Sequence, residues 1–373
     1  MKIVFFINSM TGGGAERVVS TLSTYLTQEK GAEITILTMY MSKCAYELPS
    51  SVSVQQLKTG FLCRGIWKLV FMPLVAMELA RVLKKNKPDA TLSLLVRANL
   101  IHLMSKWLGN KSRIAISERA DSETHYSAGG LANKIMKILI RRLYSTADII
   151  IPISEGVQVA LENLGVDNDN IIPIHNPQNI RHIVQQSKEV CDIPLPKNIP
   201  TLVTIGRLDY QKDYPTMLDA MKKIKDALDV HLVILGEGPL ESKLKTYAQE
   251  LGLSENISWV GWKKNPFSIM AQSDIFVFTS AYEGFGNVLV EGMTCGLPII
   301  TTDCPSGPAE ILENGKYGVL VPVGDSDAFA DEVINLLQHD DQYENFKRLS
   351  AERAMAFDVP KVAEKYLDCL NLR

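Results

Sequence analysis

A chain of 373 residues with 46% hydrophobic and 22% charged residues suits two globular domains of ordinary size rather than one core or a membrane-embedded bundle. Its net charge of −3 divides unevenly: residues 1–182 hold 21 Lys and Arg against 14 Asp and Glu, and the remainder holds 18 against 28. Nothing here calls for a nucleic-acid partner, whereas a basic half joined to an acidic one suggests that the first half meets an anionic surface or substrate.

The chain opens on KIVFFIN, whose apolar run of five residues is too short for a secretory leader and reads as a first strand. The turn NSMTGGG leads into a helix, AERVVSTLSTYLTQ, and then into a second strand, AEITILTMY. Gly12, Gly13 and Gly14 thus lie between strand and helix, where the backbone can approach a phosphate or sugar closely. Their spacing is not G-x-G-x-x-G, and the second strand ends in Tyr40 and Met41 rather than an acid. Both features weigh against an NAD-dependent dehydrogenase.

Residues 60–87 form the longest apolar zone, but Arg64, Lys68, Pro73 and Glu78 interrupt it. The uncharged stretch Leu69–Met77 falls far below the ~20 residues a spanning helix needs. Phe61, Trp67 and Phe71 alternate here with Arg64, Lys68, Lys84 and Lys85, and a second basic run follows at 133–144. This composition predicts either a buried helix with a solvated lysine end or docking on an anionic membrane, where the cations could also hold an acceptor diphosphate. The next strands, DATLSLL, RIAISE and ADIIIPIS, carry apolar runs rather than a strict apolar–polar alternation, as strands buried on both faces of a parallel sheet should.

Prolines 173, 177, 194, 196 and 200 mark an interdomain linker, after which the strand–helix rhythm restarts. The expected organisation is α/β: a Rossmann-like domain over 1–182 and another over 198–355, both doubly wound and facing a central cleft. A helix in 356–373 is expected to pack back on the first domain. In such sheets ligands bind beyond the carboxyl ends of the strands. GRLDYQKD places Gly206 and Arg207 at a strand end with Lys212 close behind, a pair of cations suited to a diphosphate. LGEGP adds Gly236 at the end of the next strand, as a turn or as part of a nucleotide pocket.

The stretch SAYEGFGNVLVEGMTCGLP puts Glu283 in a loop and Glu291 eight positions on, read as two turns into a helix. Eight helical residues turn through ~800°, so the two carboxylates need a long ligand running across them. A sugar nucleotide has that length, with Glu283 at sugar hydroxyls, Glu291 at a ribose and the amides of Phe285, Gly286, Asn287 and Val288 near phosphates. The strings Asp167–Asp169 and Asp325–Asp327 sit among turn residues, where caps suffice and no metal is expected. The six cysteines form no CxxC, consistent with reduced thiols in cytoplasm.

GGGAER, the ISE at Ile116–Glu118, GRLDYQKD and EGFGNVLVE, in this order, resemble the family 4 retaining glycosyltransferases of the GT-B fold, the last being their E-x7-E motif. Within the family the chain looks most like bacterial enzymes that extend undecaprenyl-diphosphate-linked oligosaccharides. The resemblance implies that Arg207 and Lys212 hold the donor diphosphate, Glu283 the transferred sugar and Glu291 the ribose. It implies that Gly13 or Gly14 closes over the phosphates and that Gly261, Trp262 and Lys263 border the nucleobase. Where many relatives have a donor-contacting histidine after SE, this chain has Arg119 behind Glu118. Arginine transfers no proton at ordinary pH, so its role there is positional or electrostatic, and His125, six residues on, reads either as a substitute or as an exposed loop histidine.

The implied reaction is metal-independent transfer of a hexose or N-acetylhexosamine, with retention and no cofactor, to a lipid-linked glycan at the inner membrane face. A UDP donor such as UDP-GalNAc is expected, with GDP-mannose the alternative. A non-hydrolysing sugar-nucleotide epimerase of the same shape and a catalytically silent nucleotide-binding protein are the rival readings.

Overall fold

A computed structural model describes residues 1–40, 43–63, 69–119 and 130–372. The chain divides into two compact units, Met1–Pro177 with Val359–Arg373, and Gln178–Asp358.

The first unit is built on a six-stranded sheet of order β3-β2-β1-β4-β5-β6, every neighbour parallel. Its strands are β1 (Lys2–Ile7), β2 (Glu33–Thr38), β3 (Ser53–Gln56), β4 (Ala90–Leu94), β5 (Ile114–Glu118) and β6 (Ile149–Pro152). Side chains alternate across a strand, so both faces of β1 must be apolar to be covered. Ile3, Phe5 and Ile7 enter a core with α1 (Gly14–Lys30) and the C-terminal helix Val359–Leu370. Val4 and Phe6 enter the opposite core, with α2 (Met72–Asn86), α3 (Val96–Trp107) and α4 (Leu131–Tyr144). A further helix, α5 (Glu155–Asn163), follows β6. The C-terminal helix lies against α1, where Lys30 and Glu364 pair at 2.5 Å.

The second unit repeats the plan, with order β12-β11-β10-β7-β8-β9 and all neighbours parallel. Its strands are β7 (Thr201–Ile205), β8 (His231–Leu235), β9 (Ile257–Gly261), β10 (Ile275–Phe278), β11 (Ile299–Thr302) and β12 (Val319–Val321). The helices that bear on the site are α6 (Ile180–Ser187), α7 (Tyr214–Ala227), α8 (Glu241–Glu250), α9 (Phe267–Met270) and α10 (Asn287–Thr294).

Two expectations change. The stretch taken for a linker belongs to the second unit from Gln178 onward, and Asn179 caps α6 by accepting from His182 N at 3.0 Å. The units therefore meet in sequence at Pro177/Gln178 and Asp358/Val359 rather than at 182, 198 and 355. Gln178 N donates to Phe357 O at 2.8 Å, tying the two crossing strands together. The sheet also has an extra strand, β3, whose residues are all exposed; an edge strand with no buried face leaves no apolar pattern to read.

In each sheet the first strand is flanked by the second and the fourth, so the crossovers reverse there: β1 beside β4, and β7 beside β10. At such a switch point the loops after the two strands diverge and leave a crevice at their carboxyl ends.

Candidate functional site

In the second unit, the loop after β7 and the loop after β10 are bound together at this switch point. Ala281 N donates to Gln211 O at 2.8 Å, and Gln211 Nε2 to Tyr282 O at 2.9 Å. Thr279 Oγ1 reaches the carbonyls of Lys212 and Asp213, each at 3.0 Å, and Thr302 Oγ1 anchors Ser280 O at 2.6 Å. This frame brings Lys212 Nζ onto Glu283 Oε1 as a buried ion pair. Ser280 Oγ donates to the same oxygen at 2.8 Å, and the ammonium lies 4.8 Å from the Phe278 ring centroid. The charges are felt next door: burial, with Glu283 adding and Lys212 opposing, pushes the Cys304 thiol up to about 12. Thr279, Ser280, Gln211 and Thr302 were missed as framework residues, although Ser280 opens the quoted glutamate stretch and Thr279 directly precedes it.

Arg207 stands differently. Its side chain is 71% exposed, with Asp209 3.8 Å away, so its guanidinium is presented to solvent rather than spent inside the fold. Tyr214 OH donates to Gly206 O at 3.2 Å, fixing the strand end from below, and burial holds the Tyr214 phenol well above its usual range.

The helical distance between the two glutamates is shorter than the spacing suggested. Gly286, at φ +96°, caps α10, which begins only at Asn287. Glu291 is therefore one turn into the helix rather than two, and Glu283 precedes it on loop backbone, so the ~800° construction does not apply. Glu291 is buried, and its charge adds to burial in pushing the Cys295 thiol up to about 12. The Phe285 ring is buried edge-on against Phe357, centroids 5.6 Å apart, so the expected phosphate contact concerns its backbone amide and not its side chain. Asn287 Oδ1 accepts from Gln178 Nε2 at 2.9 Å, and Val288 is half-buried in the first turn.

Gly236 is demanded by the fold. Its φ is +138°, and a Cβ there would lie 2.0 Å from Gly206 O, so the β7 and β8 strand ends touch backbone to backbone. At the end of β9, Gly236 N donates to Gly261 O at 2.8 Å, and Trp262 is 69% exposed with its amide 3.4 Å from Glu237 Oε1. Lys263 is held by Asp192 at 2.5 Å. Gly206, Arg207, Gly236, Gly261 and Trp262 thus line one edge of the second sheet.

In the first unit, Gly12 to Gly14 follow β1, and Gly13 O accepts from Tyr46 OH at 3.0 Å. At the end of β5 lies a polar network foreseen only in part. His102 Nδ1 meets Ser93 Oγ at 3.0 Å, Ser93 donates to Asn99 Oδ1 at 2.9 Å, and Asn99 Nδ2 reaches Tyr144 OH at 3.0 Å. Tyr144 OH donates to Glu118 Oε2 at 2.6 Å, and Glu118 Oε1 accepts from Arg119 N at 3.1 Å. Arg119 itself is buried: its guanidinium donates to Ser117 Oγ at 3.1 Å, to Tyr366 OH at 3.5 Å and to Asn176 Oδ1. Burial lowers its pKa from the ordinary arginine value, opposed by Tyr366 and Glu118. Arg119 thereby joins β5 to the C-terminal helix.

Lys84 and Lys85 sit exposed in the last turn of α2, which leads into the amino end of β4, the sheet edge opposite Gly12 to Gly14. They complement the helix dipole there. Arg64, Lys68 and His125 lie outside the described residues. Asp325 caps the helix that follows it, accepting from Ala328 N at 2.9 Å.

Two family models divide the chain, Glycosyltransferase Family 4 over residues 12–181 and Glycosyl transferases group 1 over residues 186–353. The chain is 31% identical over 371 residues, 99% of both sequences, to N-acetylgalactosamine-N,N'-diacetylbacillosaminyl-diphospho-undecaprenol 4-alpha-N-acetylgalactosaminyltransferase of Campylobacter jejuni. It is 28% identical over 340 residues, 88% of this chain and 87% of the relative, to the lipopolysaccharide 1,6-galactosyltransferase of Escherichia coli. Among solved structures, the lipopolysaccharide outer core galactosyltransferase WaaB matches with a TM-score of 0.77 at 22% identity, over 100% of this chain and 99% of that one. HepE of Anabaena, solved with UDP, matches with a TM-score of 0.76 at 18% identity over 100% of both chains.

Two Rossmann-like units, each with a parallel sheet, give the GT-B fold of these neighbours, and the two family models and the Campylobacter relative make the chain a glycosyltransferase. More particularly, the chain belongs to the family 4 glycosyltransferases.

Proposed function

We propose that the protein transfers an N-acetylhexosamine or hexose from a UDP-sugar to a lipid-linked oligosaccharide, with retention at the anomeric carbon and without a divalent ion. The Lys212–Glu283 pair at the β7/β10 switch point carries this reading. A buried carboxylate already paired and hydrogen-bonded suits contact with sugar hydroxyls better than nucleophilic attack. Attack on the anomeric carbon then comes from the acceptor hydroxyl on the leaving-group face, and a donor phosphate oxygen takes the proton. Charge growing on the departing diphosphate falls to Arg207, Lys212 and the amides at the start of α10, which act as preorganised donors. Glu291 is assigned to the ribose, and Trp262 and Gly261 to the base.

The Campylobacter relative's name, an alpha-N-acetylgalactosaminyltransferase acting on a diphospho-undecaprenol glycan, supports N-acetylgalactosamine as the sugar and an undecaprenyl-linked acceptor; UDP as its carrier and the cytoplasmic membrane face belong to the proposal. Thermal unfolding with UDP-GalNAc, UDP-GlcNAc, UDP-Gal, UDP-Glc and GDP-mannose tests the donor. A ligand at 100 times its Kd stabilises by about 2.7 kcal/mol, so the true donor raises Tm clearly. Stabilisation by GDP-mannose alone would overturn the donor assignment, and turnover of UDP-sugar without acceptor would point to an epimerase.

A further inference from the structure

Helix α4 carries apolar side chains on two opposite faces. At about 100° per residue, Met136, Ile140, Leu143 and Tyr144 share one face, and all are buried in the core with α2 and α3. Leu131, Ile135 and Ile138 lie on the opposite face, 75%, 37% and 55% exposed. Lys134, Lys137 and Arg141 line one edge of that exposed stripe and Arg142 lies at its end, and the helix contains no acidic residue. The core explains the first face, and among the described residues the second is exposed. Beside the end of α4, where Lys106 Nζ reaches Thr146 O at 3.1 Å, Trp107 and Leu108 are 66% and 43% exposed. Exposed aromatic, aliphatic and cationic side chains together form the composition of an interfacial helix.

We propose that the outer face of α4 seats this unit on an anionic lipid bilayer. Leu131, Ile135 and Ile138 enter the headgroup boundary, and Lys134, Lys137, Arg141 and Arg142 pair with lipid phosphates. The inference rests on the proposed lipid-linked acceptor and names the docking element. By comparison α2 buries Met72, Val75, Ala76, Leu79, Ala80 and Leu83 in the core and exposes one large apolar side chain, Leu74, where α4 exposes three. A second copy of the chain fits this face poorly, since a two-fold contact through α4 would set its cations against the same cations.

Flotation with phosphatidylglycerol vesicles tests the proposal. The wild-type chain binds them, more weakly at high salt, and does not bind phosphatidylcholine vesicles. Ile135→Glu/Ile138→Glu lowers the bound fraction at least about tenfold, whereas Val190→Glu, at an exposed valine of the other unit, leaves it unchanged. The double variant keeps wild-type transfer to a water-soluble short-chain acceptor and loses transfer to a vesicle-embedded one. If it misfolds, Lys134→Gln/Lys137→Gln/Arg141→Gln is used, with the same expected loss. No binding by the wild-type chain would overturn membrane attachment altogether. Equal binding by wild type and variants would overturn the assignment to α4 alone, as would a fall in transfer to the soluble acceptor. A solution dimer dispersed by the variants would make α4 a self-association face instead.

Discussion

Removing both partners of the Lys212–Glu283 pair should cost clearly less than the two single removals added together. The two side chains are 16% and 9% exposed, so each charge is largely desolvated. Breaking a buried pair typically costs about 3–5 kcal/mol, because the remaining charge has no compensation. In Lys212→Met, Glu283 keeps the Ser280 hydroxyl at 2.8 Å, which places the loss near the lower end, about 3 kcal/mol. In Glu283→Gln, Lys212 keeps the Phe278 ring at 4.8 Å, a contact worth about 1–2 kcal/mol when desolvated, so the loss is roughly 2–3 kcal/mol. The double variant removes both charges, and its loss should fall about 2–3 kcal/mol short of the sum. For a domain of this unit's size, 3 kcal/mol lowers Tm by about 6–12 °C, well within reach of calorimetry. Single losses that add to within about 0.5 kcal/mol in the double variant would refute the buried pair.

His102 is buried, with its pKa lowered to about 3, chiefly by burial and against the pull of Asp148. Its folded pKa lies below the unfolded value near 6.5, so its neutral form stabilises fully above pH 6.5 and the benefit is lost as pH falls toward 3. Between pH 6.5 and 4.5 it should account for about 2–3 kcal/mol of lost stability. Urea unfolding of His102→Gln should show a pH slope smaller by that amount, and an unchanged slope would contradict its burial. Gly236→Ala adds a Cβ 2.0 Å from Gly206 O at φ +138°, which should destabilise by roughly 2–5 kcal/mol and weaken donor binding. Wild-type melting of that variant would mean the two strand ends do not touch.

Most strands could be read from the sequence because both faces of each sheet are covered, so IVFFI in β1 or IFVF in β10 is apolar throughout. β3 could not, having no buried residue. The E-x7-E spacing was legible, but the start of α10 was not, since it depends on the left-handed backbone of Gly286. The Lys212–Glu283 pair spans 71 positions and exists only because β7 and β10 are sheet neighbours out of sequence order. The contacts of Arg119 were hidden for the same reason: its partner Tyr366 is 247 residues away on a helix that returns to the first unit.

Donor affinity and transfer rate, measured separately in Glu291→Ala and Glu283→Gln, test the division of the site most directly. Glu291→Ala should raise the UDP-sugar Kd at least about tenfold, the loss of roughly one charged hydrogen bond. Glu283→Gln should leave Kd nearly unchanged and slow single-turnover transfer by about two orders of magnitude, as for loss of a group that acts in the transition state. Transfer at the wild-type rate and affinity in both variants would contradict the assignment of the β7/β10 crevice as the donor site.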